Sequence, residues 1–250
     1  MIKILLIGEH CRDIYHYGTV DRLNPEAPVP ILKEKFLKKL DGMGSNVKNN
    51  LLSLGFNIKH LKNSERIEKH RLVDLNYKQQ LLRYDIENEE IKPLSLKKLE
   101  DNYDIIVISD YDKGFINDNV AKYICKKYKD KPIFVDSKKT NLTCYSNCFL
   151  KININEYNNL KFYNKDNCEL IITEGKFGAT YKLKNYPADK VDVYDVCGAG
   201  DVFLAGLVYG YSKNKDIIQG IKIANRLASI SVSKFGTYVL TKKDIKINLK

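Results

Sequence analysis

The sequence predicts an α/β fold in which a mostly parallel central sheet is covered by helices on both faces. Two observations lead to this prediction. Ile2–Ile7 is an apolar run ending at Gly8, which is typical of a strand buried on both faces. From Asp104 onward, short apolar segments alternate with helical patterns, which favours parallel strands joined by crossover helices.

In the first third of the chain, Val29–Phe36 is predicted to be extended, because it follows the prolines at 25 and 28. Gly42 to Gly44 opens a predicted helix that runs to about Leu54 and ends at Gly55. The strands predicted next are short and polar, which suits a sheet edge or a lid. They are Ile58–Leu61, Arg71–Leu75 and Gln79–Tyr84.

The remaining elements follow in regular alternation. The predicted strands are Asp104–Ser109, Pro132–Asp136, Cys148–Ile152, Leu170–Thr173, Ala179–Leu183 and Val191–Val193. The predicted helices are Asn117–Lys127, Ala199–Ser212 and Asp216–Phe235, of which the last two are the longest. No repeat or linker interrupts the chain, so residues 1–250 are expected to form one domain. Segments near 10–36 and 68–86 are expected to form a small β lid.

The chain carries 42 Lys and Arg against 31 Asp and Glu, which gives a formal net charge of +11. This balance indicates either an anionic partner or a lysine-rich solvated surface. The basic residues are spread along the whole chain and form no single stripe, so nucleic acid is not expected as a partner. Phosphorylated small molecules remain as anionic partners.

Six cysteines occur without a Cys-x-x-Cys pair or a histidine spacing typical of zinc sites. The apolar N-terminal segment is too short for a signal sequence or a membrane span, and no later apolar run approaches spanning length. We therefore expect a cytoplasmic protein with free thiols and no membrane association.

A glycine-rich heptapeptide directly before an apolar helix is the most distinctive feature of the sequence. It runs Asp195-Val196-Cys197-Gly198-Ala199-Gly200-Asp201. Its glycines allow a tight turn, and the helix start adds unpaired N–H groups and a positive dipole end. This pattern predicts an anion hole for a transferring phosphoryl group, with Asp201 placed to deprotonate an attacking hydroxyl. From the heptapeptide alone, a plain turn with Asp201 as an ordinary helix residue remains possible.

This heptapeptide resembles the signature of the ribokinase-like (PfkB-type) carbohydrate kinases, which carry Gly-Ala-Gly-Asp at the start of a late helix. Four other segments resemble motifs of that family in the same order: a substrate loop, an Asn-x-x-Glu motif, a strand and turn beside the nucleotide, and an adenine-side position. They are Gly42–Asn46, Asn153–Glu156, Ile172–Gly178 and Ala224-Asn225. The resemblance implies a ribokinase-like fold and a carbohydrate kinase that uses ATP and Mg²⁺, with a monovalent cation possible.

Within that family the chain is similar to the D-glycero-β-D-manno-heptose-7-phosphate kinases. The most specific match is Arg22–Pro30, which resembles their Arg-x-x-Pro-Glu-Ala-Pro-Val-Pro stretch. Their lid strand, Ser-Asp-Tyr-x-Lys-Gly loop and Asp-Pro-Lys segment also have counterparts. These are Gln79–Asp85, Ser109–Gly114 and Val135–Lys138. The matches extend from about residue 8 to about residue 236.

The chain also departs from the family pattern. It is shorter than its relatives between Leu61 and Arg71, and again between Tyr157 and Cys168. Met43 replaces the second glycine of the usual pair, Ile152 stands where the family has proline, and Cys197 replaces a common threonine. These departures leave the predicted base and anion hole intact, but they leave the identity of the acceptor and the catalytic efficiency open.

The resemblance implies four groups of site residues. The predicted catalytic group is Asp201 as the base, with Gly198, Ala199 and Gly200 as the anion hole. The predicted acceptor-binding residues are Asp13, Gly42, Gly44, Asn46, Arg83, Asp110 and Lys138. The predicted nucleotide-side residues are Asn153, Thr173, Gly175, Gly178 and Asn225, and Glu156 and Asn153 are the predicted magnesium ligands.

Side-chain chemistry supports several of these roles. Asp13 follows the first strand, where a carboxylate could hold sugar hydroxyls, although a turn-capping role is an open alternative. Arg83 and Lys138 are candidates for the phosphate already on the sugar, since Arg binds phosphate bidentately and Lys acts as a point charge. With 42 basic residues in the chain, a solvated surface is the alternative for both. Asn153 and Glu156 offer the oxygen ligands that Mg²⁺ prefers.

These inferences lead to one main hypothesis and two others. The main hypothesis is transfer of the γ-phosphoryl group of ATP to the anomeric hydroxyl of a heptose 7-phosphate, for synthesis of ADP-heptose or a related nucleotide sugar of surface polysaccharide. No fused nucleotidyltransferase is expected within the chain. The alternatives are a kinase for another sugar or sugar phosphate, and a weakly active nucleotide- or sugar-binding relative. A homodimer through the lid is a possible assembly.

Overall fold

The computed structural model describes residues 1–88, 90–234 and 236–248 and confirms the α/β prediction. The strands are β1 Lys3–Gly8, β2 His10–Leu23, β3 Pro30–Met43, β4 Asn57–Leu61, β5 Ile67–Asp74, β6 Gln79–Glu87, β7 Ile105–Asp110, β8 Ile133–Ser137, β9 Asn141–Leu142, β10 Cys148–Asn153, β11 Phe162–Tyr163, β12 Cys168–Thr173, β13 Ala179–Tyr181 and β14 Lys184–Tyr186. The helices are α1 Gly44–Ser53, α2 Asp118–Lys127, α3 Ile154–Asn158, α4 Ala199–Asn214, α5 Ile217–Val232 and α6 Lys242–Asn248.

A central sheet of eight strands forms the core, in the order β14-β13-β12-β10-β8-β7-β1-β4. From β12 to β4 all neighbours are parallel, whereas β13 and β14 add an antiparallel edge. Strand β1 shows why the interior positions are apolar. Ile4 and Leu6 pack with α1, α4 and α5 on one face, and Leu5 and Ile7 pack with α2 on the other. A strand covered on both faces has no polar side, so its sequence is a continuous apolar run.

A second sheet, which we call the small sheet, has the strand order β3-β2-β5-β6. Strands β2 and β3 form a long antiparallel hairpin, and β5 runs parallel to β2. The sequence predicted only part of this sheet. Segments near 10–36 and 68–86 were predicted to form a β lid, but no individual strand was predicted over residues 10–23, because that stretch mixes charged, aromatic and apolar residues without a clean period.

Three further details differ from the sequence prediction. Val191–Val193 forms no strand, and the predicted strand 179–183 is instead the hairpin of β13 and β14. That hairpin turns through Lys182 and Leu183, which have φ of 48° and 63°. Helices α3 and α6 were not predicted, because each is too short to show a helical period. Phe235, the predicted end of the last long helix, lies outside the described residues, and α5 ends at Val232.

Helices α4 and α5 pack against each other through small residues. A Cβ atom on Gly210 would lie 2.7 Å from the Cα of Gly220, and one on Gly206 would lie 2.9 Å from the Cα of Ala224. The close approach of the two backbones holds α4, and therefore its N-terminus, at a fixed position above the sheet. Within the described ranges, none of the helices combines the length and the apolar character needed to cross a bilayer.

The contact between α4 and α5 leads to a stability prediction for Gly210→Ala. Alanine gains about 0.5–1 kcal/mol of helix propensity over glycine, but overpacking a tight contact costs about 1–3 kcal/mol. We therefore expect the free energy of unfolding to fall by about 1–2 kcal/mol in urea titrations. Asn214→Ala, at an exposed position of the same helix, is the control and should change it by less than about 0.5 kcal/mol. A Gly210→Ala protein as stable as the parent would contradict this packing.

Candidate active site

The N-terminus of α4 lies at the carboxyl edge of the central sheet, in a conformation that requires glycine. Gly198 precedes the helix with φ of 75°, in the left-handed region. A Cβ on Gly198 would lie 2.7 Å from the Asn46 side-chain nitrogen, and one on Gly200 would lie 2.9 Å from the Lys151 ammonium. The Ala199 amide donates to the Val196 carbonyl at 3.2 Å. Helix geometry leaves the next two amides, at 200 and 201, facing the cleft side without an intrahelical acceptor.

Asp201 lies one residue after these glycines and is 4% exposed. Its two carboxylate oxygens each accept one hydrogen bond. Asn46, in α1, donates to Oδ2 at 2.9 Å, and the Tyr111 hydroxyl donates to Oδ1 at 2.9 Å. Helix α4, which carries Asp201, and the two donors from α1 and from the loop after β7 together fix this carboxylate. Its remaining lone pairs can accept a hydrogen bond from a further donor.

Burial dominates the electrostatics of Asp201. Removal from water raises its pKa from the ordinary value to about 6, and the nearby negative Asp136 adds to that rise. The hydrogen bonds from Asn46 and Tyr111 favour the ionised form and limit the shift. A carboxylate with a pKa near neutrality is a better proton acceptor than an ordinary aspartate.

A row of alternating charges runs beneath the anion hole. The ammonium of Lys151, which is 1% exposed, lies 2.7 Å from Asp136. Lys138 lies 3.3 Å from the other oxygen of Asp136 and 2.5 Å from Glu156. Burial opposes ionisation of Asp136, but the two ammonium groups outweigh it and lower its pKa. Opposite charges at these distances allow four ionised groups to be desolvated together.

Lys151 and Asp136 were not among the predicted site residues. Lys151 interrupts the apolar strand Cys148–Asn153, two residues before the Asn-x-x-Glu motif. A lysine inside a buried strand is an unusual and costly placement, and this signal in the sequence could have identified it. Tyr111 lies in the loop segment Ser109–Gly114, and nothing in the sequence links it to Asp201.

The nucleotide-side residues do lie together. A cleft of about 910 Å³ opens beside Asp201 and is lined by residues from β10, β12, α4 and α5. The predicted residues that line it are Asn153, Thr173, Gly175, Gly178, Asn225, Gly198, Ala199, Gly200, Asp201 and Lys138. Asn225 is buried, and its side-chain amide donates to the carbonyls of Tyr186 at 2.7 Å and Pro187 at 3.3 Å. It therefore holds the segment that borders the cleft.

The predicted acceptor residues of the first third lie where the small sheet meets α1. Asp13 is buried and forms an ion pair with Arg71, and it accepts a hydrogen bond from Thr237 at 3.3 Å. Gly42 lies diagonally across on β3, and a Cβ there would lie 2.3 Å from Asp13 Oδ2. The Gly44 amide donates to the Glu9 carbonyl at 2.8 Å, which fixes the start of α1. These contacts place Asp13 near the start of α1, the helix whose Asn46 side chain donates to Asp201.

Arg83, Lys138 and Asp110 have different surroundings. Arg83 lies on β6 and pairs with Asp85, with Nε at 2.8 Å from Oδ1. The Lys138 ammonium is held by the two carboxylates described above. Asp110 is fully buried and accepts from Lys139 at 2.9 Å and Tyr145 at 2.6 Å. It ties the end of β7 to its neighbours, and a direct role in acceptor binding stays a prediction.

The predicted magnesium ligands form a capping box at the start of α3. Asn153 Oδ1 accepts from the Glu156 amide at 2.9 Å, and Glu156 Oε2 accepts from the Asn153 amide at 2.7 Å. Across residues 1–88, 90–234 and 236–248, no group of three or more His, Cys, Asp or Glu side chains could hold a metal ion. This donor set does not suit a closed protein cage, but it fits a Mg²⁺ that keeps several waters and is held mainly by phosphates.

Comparison with known proteins agrees with this geometry. Residues 152–244 match the pfkB family carbohydrate kinase domain. The chain is 30% identical to the bifunctional protein HldE of Campylobacter jejuni (strain RM1221), over 98% of this chain and 64% of the relative. It is 29% identical to the protein of the same name from Sulfurimonas denitrificans, over 98% and 63%. The chain thus spans less than two thirds of the length of these relatives.

Solved structures show the same fold at low sequence identity. The ribokinase of Arabidopsis thaliana, complexed with ribose and ATP, superposes with a TM-score of 0.71 at 17% identity, covering 100% of this chain and 99% of the other. The ribokinase of Thermotoga maritima gives a TM-score of 0.70 at 16% identity, covering 100% and 99%. At these identities the similarity establishes the fold.

The raised pKa of Asp201 predicts that this carboxylate destabilises the fold at neutral pH. A carboxyl group with a higher pKa in the folded state binds protons more tightly there, so its penalty is absent below about pH 4 and complete above about pH 6. Asp201→Asn removes the charge but loses part of one hydrogen bond. We expect it to raise the free energy of unfolding by about 1–2 kcal/mol at pH 8.

The difference in free energy of unfolding between Asp201→Asn and the parent should disappear toward pH 4. Urea titrations at pH 8 and pH 4 measure it, and Asp130→Asn, at an exposed position, is the matched control. If the variant were less stable than the parent at pH 8, burial would not be the dominant effect on this group.

Proposed function

We propose that the chain transfers the γ-phosphoryl group of ATP to the anomeric hydroxyl of a heptose 7-phosphate, because residues 152–244 match the pfkB family carbohydrate kinase domain and the fold is that of ribokinases. The observation that carries the proposal is the buried carboxylate of Asp201 at the mouth of α4, beside a cleft of about 910 Å³. The similarity to proteins named HldE supports the heptose acceptor, and the proline-rich segment 22–30 supports the same choice.

The cleft provides separate positions for the parts of ATP. The segment near Asn225 and the turn at Gly175 and Gly178 border the end that we assign to adenine. Gly178 has φ of 91°, and a Cβ there would lie 2.1 Å from the Tyr186 carbonyl. The phosphates then extend toward Gly200, where backbone amides and the Lys151 ammonium meet them. Open α/β sheets bind ligands at this carboxyl edge of their strands.

Asp201 has the geometry of a general base. Its oxygens are fixed by Asn46 and Tyr111, and each retains a lone pair that an acceptor hydroxyl can approach. The hydroxyl proton passes to Asp201 as the hydroxyl oxygen attacks the γ-phosphorus and ADP leaves. The amides at the start of α4 and Lys151 stabilise the charge that spreads over the transferring oxygens.

Mg²⁺ bound to ATP neutralises phosphate charge during transfer. In this chain Glu156, with Asn153 beside it, is the carboxylate that would hold the ion through water. Glu156 already lies 2.5 Å from Lys138. The Lys138 ammonium would therefore lie beside the ion and the phosphates.

The inner face of the small sheet supplies positive charge for the phosphate of the acceptor. Arg71 and Arg83 are directly opposite on β5 and β6, and Lys69 lies two residues earlier on β5. The Lys69 ammonium lies 5.4 Å from the centre of the Tyr111 ring, which places this face above Asp201. Arg71 is paired with Asp13 and Arg83 with Asp85, and a bound phosphate dianion would share these two guanidinium groups with the carboxylates. Asp13 beside them suits the sugar hydroxyls.

A kinase for another sugar phosphate is the alternative, because the same cations would bind any phosphorylated acceptor of similar length. A weakly active binding relative is less well supported, since a binding module gains nothing from a desolvated base. We also propose a place in synthesis of ADP-heptose or a related nucleotide sugar of surface polysaccharide, in the cytoplasm, with no nucleic acid or membrane partner.

The outer face of the small sheet is the surface that we propose for a homodimer. Leu37, Leu82 and Tyr84 share that face and are 47%, 54% and 42% exposed. A face of this kind is a common site of self-association. A monomer mass in light scattering at working concentrations would argue against the dimer.

A coupled ADP-release assay over a panel of sugars and sugar phosphates tests the proposed reaction. We expect turnover with D-glycero-β-D-manno-heptose 7-phosphate, and we expect Asp201→Asn to lower kcat by at least about 100-fold, the contribution typical of general base catalysis. The rate of the parent should fall below about pH 6, as Asp201 becomes protonated. Turnover on another acceptor only would select the alternative kinase, and ATP binding without any turnover would select the binding relative.

Arg83→Gln tests the acceptor phosphate site. Loss of one charged hydrogen bond costs about 1.5–3 kcal/mol, so KM for the phosphorylated acceptor should rise about 10- to 100-fold with kcat nearly unchanged. Arg12→Gln is the matched control, because Arg12 is exposed on the opposite face of the same sheet. Equal KM values for Arg83→Gln and the parent would show that the phosphate binds elsewhere.

A further inference from the structure

A second cleft, of about 590 Å³, opens at the opposite edge of the central sheet from Asp201. Strands β8, β10 and β12 begin there, and the cleft is lined by the residues at their starts together with the β13–β14 hairpin. Two of the lining residues are Cys148 and Cys168, the first residues of β10 and β12. The proposed kinase reaction uses neither of them.

These two cysteines are direct partners in the parallel ladder, and their Sγ atoms lie 3.5 Å apart. Neighbouring strands are about 4.7–4.9 Å apart, which is within the Cα separation of about 4.4–6.8 Å that a disulfide spans. Closing the bond therefore requires rotation of two side chains and no separation or sliding of the strands.

The cysteines differ in burial and in electrostatics. Cys148 and Cys168 are 5% and 7% exposed on the open cleft, whereas Cys125 and Cys144 nearby are 1% and 2% exposed. The hydrogen bond from the Cys148 thiol favours the Cys168 thiolate and lowers its pKa. Burial raises the pKa of Cys125 to about 11 and of Cys144 to about 12. Cys168 is thus the better nucleophile, with a second thiol in contact with it.

We propose that Cys148 and Cys168 form a reversible dithiol site, which small hydroperoxides oxidise to a disulfide across β10 and β12. The Cys168 thiolate attacks one peroxide oxygen, the O–O bond breaks, and the other oxygen leaves as water or an alcohol. The Cys148 thiol then attacks the sulfenic sulfur, the S–S bond forms, and water leaves. Two electrons pass from the sulfurs to the peroxide, and a dithiol reductant reverses the change.

We expect the disulfide to change the thermal stability of the protein more than its proposed kinase activity. The same strands end at Asn153 and Thr173, five residues away, which is about 16 Å at the rise of a strand. Oxidation closes a loop between two cysteines that lie 20 residues apart, which constrains the unfolded chain. We expect the thermal midpoint to rise by about 5 °C on oxidation and to return on reduction.

Limited oxidation of the full chain with hydrogen peroxide tests the proposal without reference to kinase activity. After alkylation, peptide mapping should find residues 148 and 168 linked, with a loss of two mass units. In Cys148→Ser, dimedone should trap a sulfenic acid at Cys168. Cys125→Ser is the matched control, because it removes a thiol of the same core and should leave the rate of crosslinking unchanged.

One result would overturn the dithiol site, and another would overturn its effect on stability. One is oxidation at Cys197, the most exposed cysteine among the described residues, with residues 148 and 168 recovered as free thiols. The other is a thermal midpoint that does not change between the reduced and oxidised protein although the crosslink is present. The first would show that peroxide does not reach the pair, and the second that the bond does not constrain the chain.

Discussion

A desolvated carboxylate needs a donor for each of its oxygens, and much of the architecture around Asp201 meets that need. Asn46 comes from the first helix and Tyr111 from the loop after β7, so α1, the central sheet and α4 must all be in place for the site to form. The cost of burying the charge appears in the pKa of about 6. Because burial raises the pKa, it also makes Asp201 a stronger base. Stability and the proposed catalytic role therefore oppose each other at this residue.

The row of charges beneath the anion hole follows the same physical rule. Lys151 lies in an otherwise apolar strand, where a lone ammonium would be expensive, and Asp136 on the neighbouring strand compensates it. Lys138 and Glu156 extend the row to the cleft surface. The protein thus holds positive charge close to the position that we propose for the phosphates, and neighbouring carboxylates balance that charge.

The two sheets contribute different parts of the proposed site. The carboxyl edge of the central sheet and the start of α4 form the proposed anion hole, base and nucleotide cleft. The small sheet carries Asp13, Arg71 and Arg83, side chains suited to an acceptor with hydroxyl groups and a phosphate. The predicted acceptor residues lie on strands that pack mainly through Tyr15, Tyr17 and Val73, which form a hydrophobic cluster separate from the main core. Substitutions at the predicted acceptor residues can therefore leave the main core undisturbed. Differences in acceptor between relatives can arise in this way.

The sequence by itself determined the class of fold, the long helices, the buried central strands and the glycine-rich box with Asp201, because each of these is encoded in contiguous residues through apolar period or turn chemistry. It also predicted the nucleotide-side residues from recognisable short motifs, and the structure brings them to one cleft. Only the tertiary structure brought Asn46 and Tyr111 to Asp201, paired Lys151 with Asp136, and placed Arg71 opposite Arg83. Those contacts join residues far apart in the chain, and their energy comes from burial and charge compensation, which a local pattern does not record.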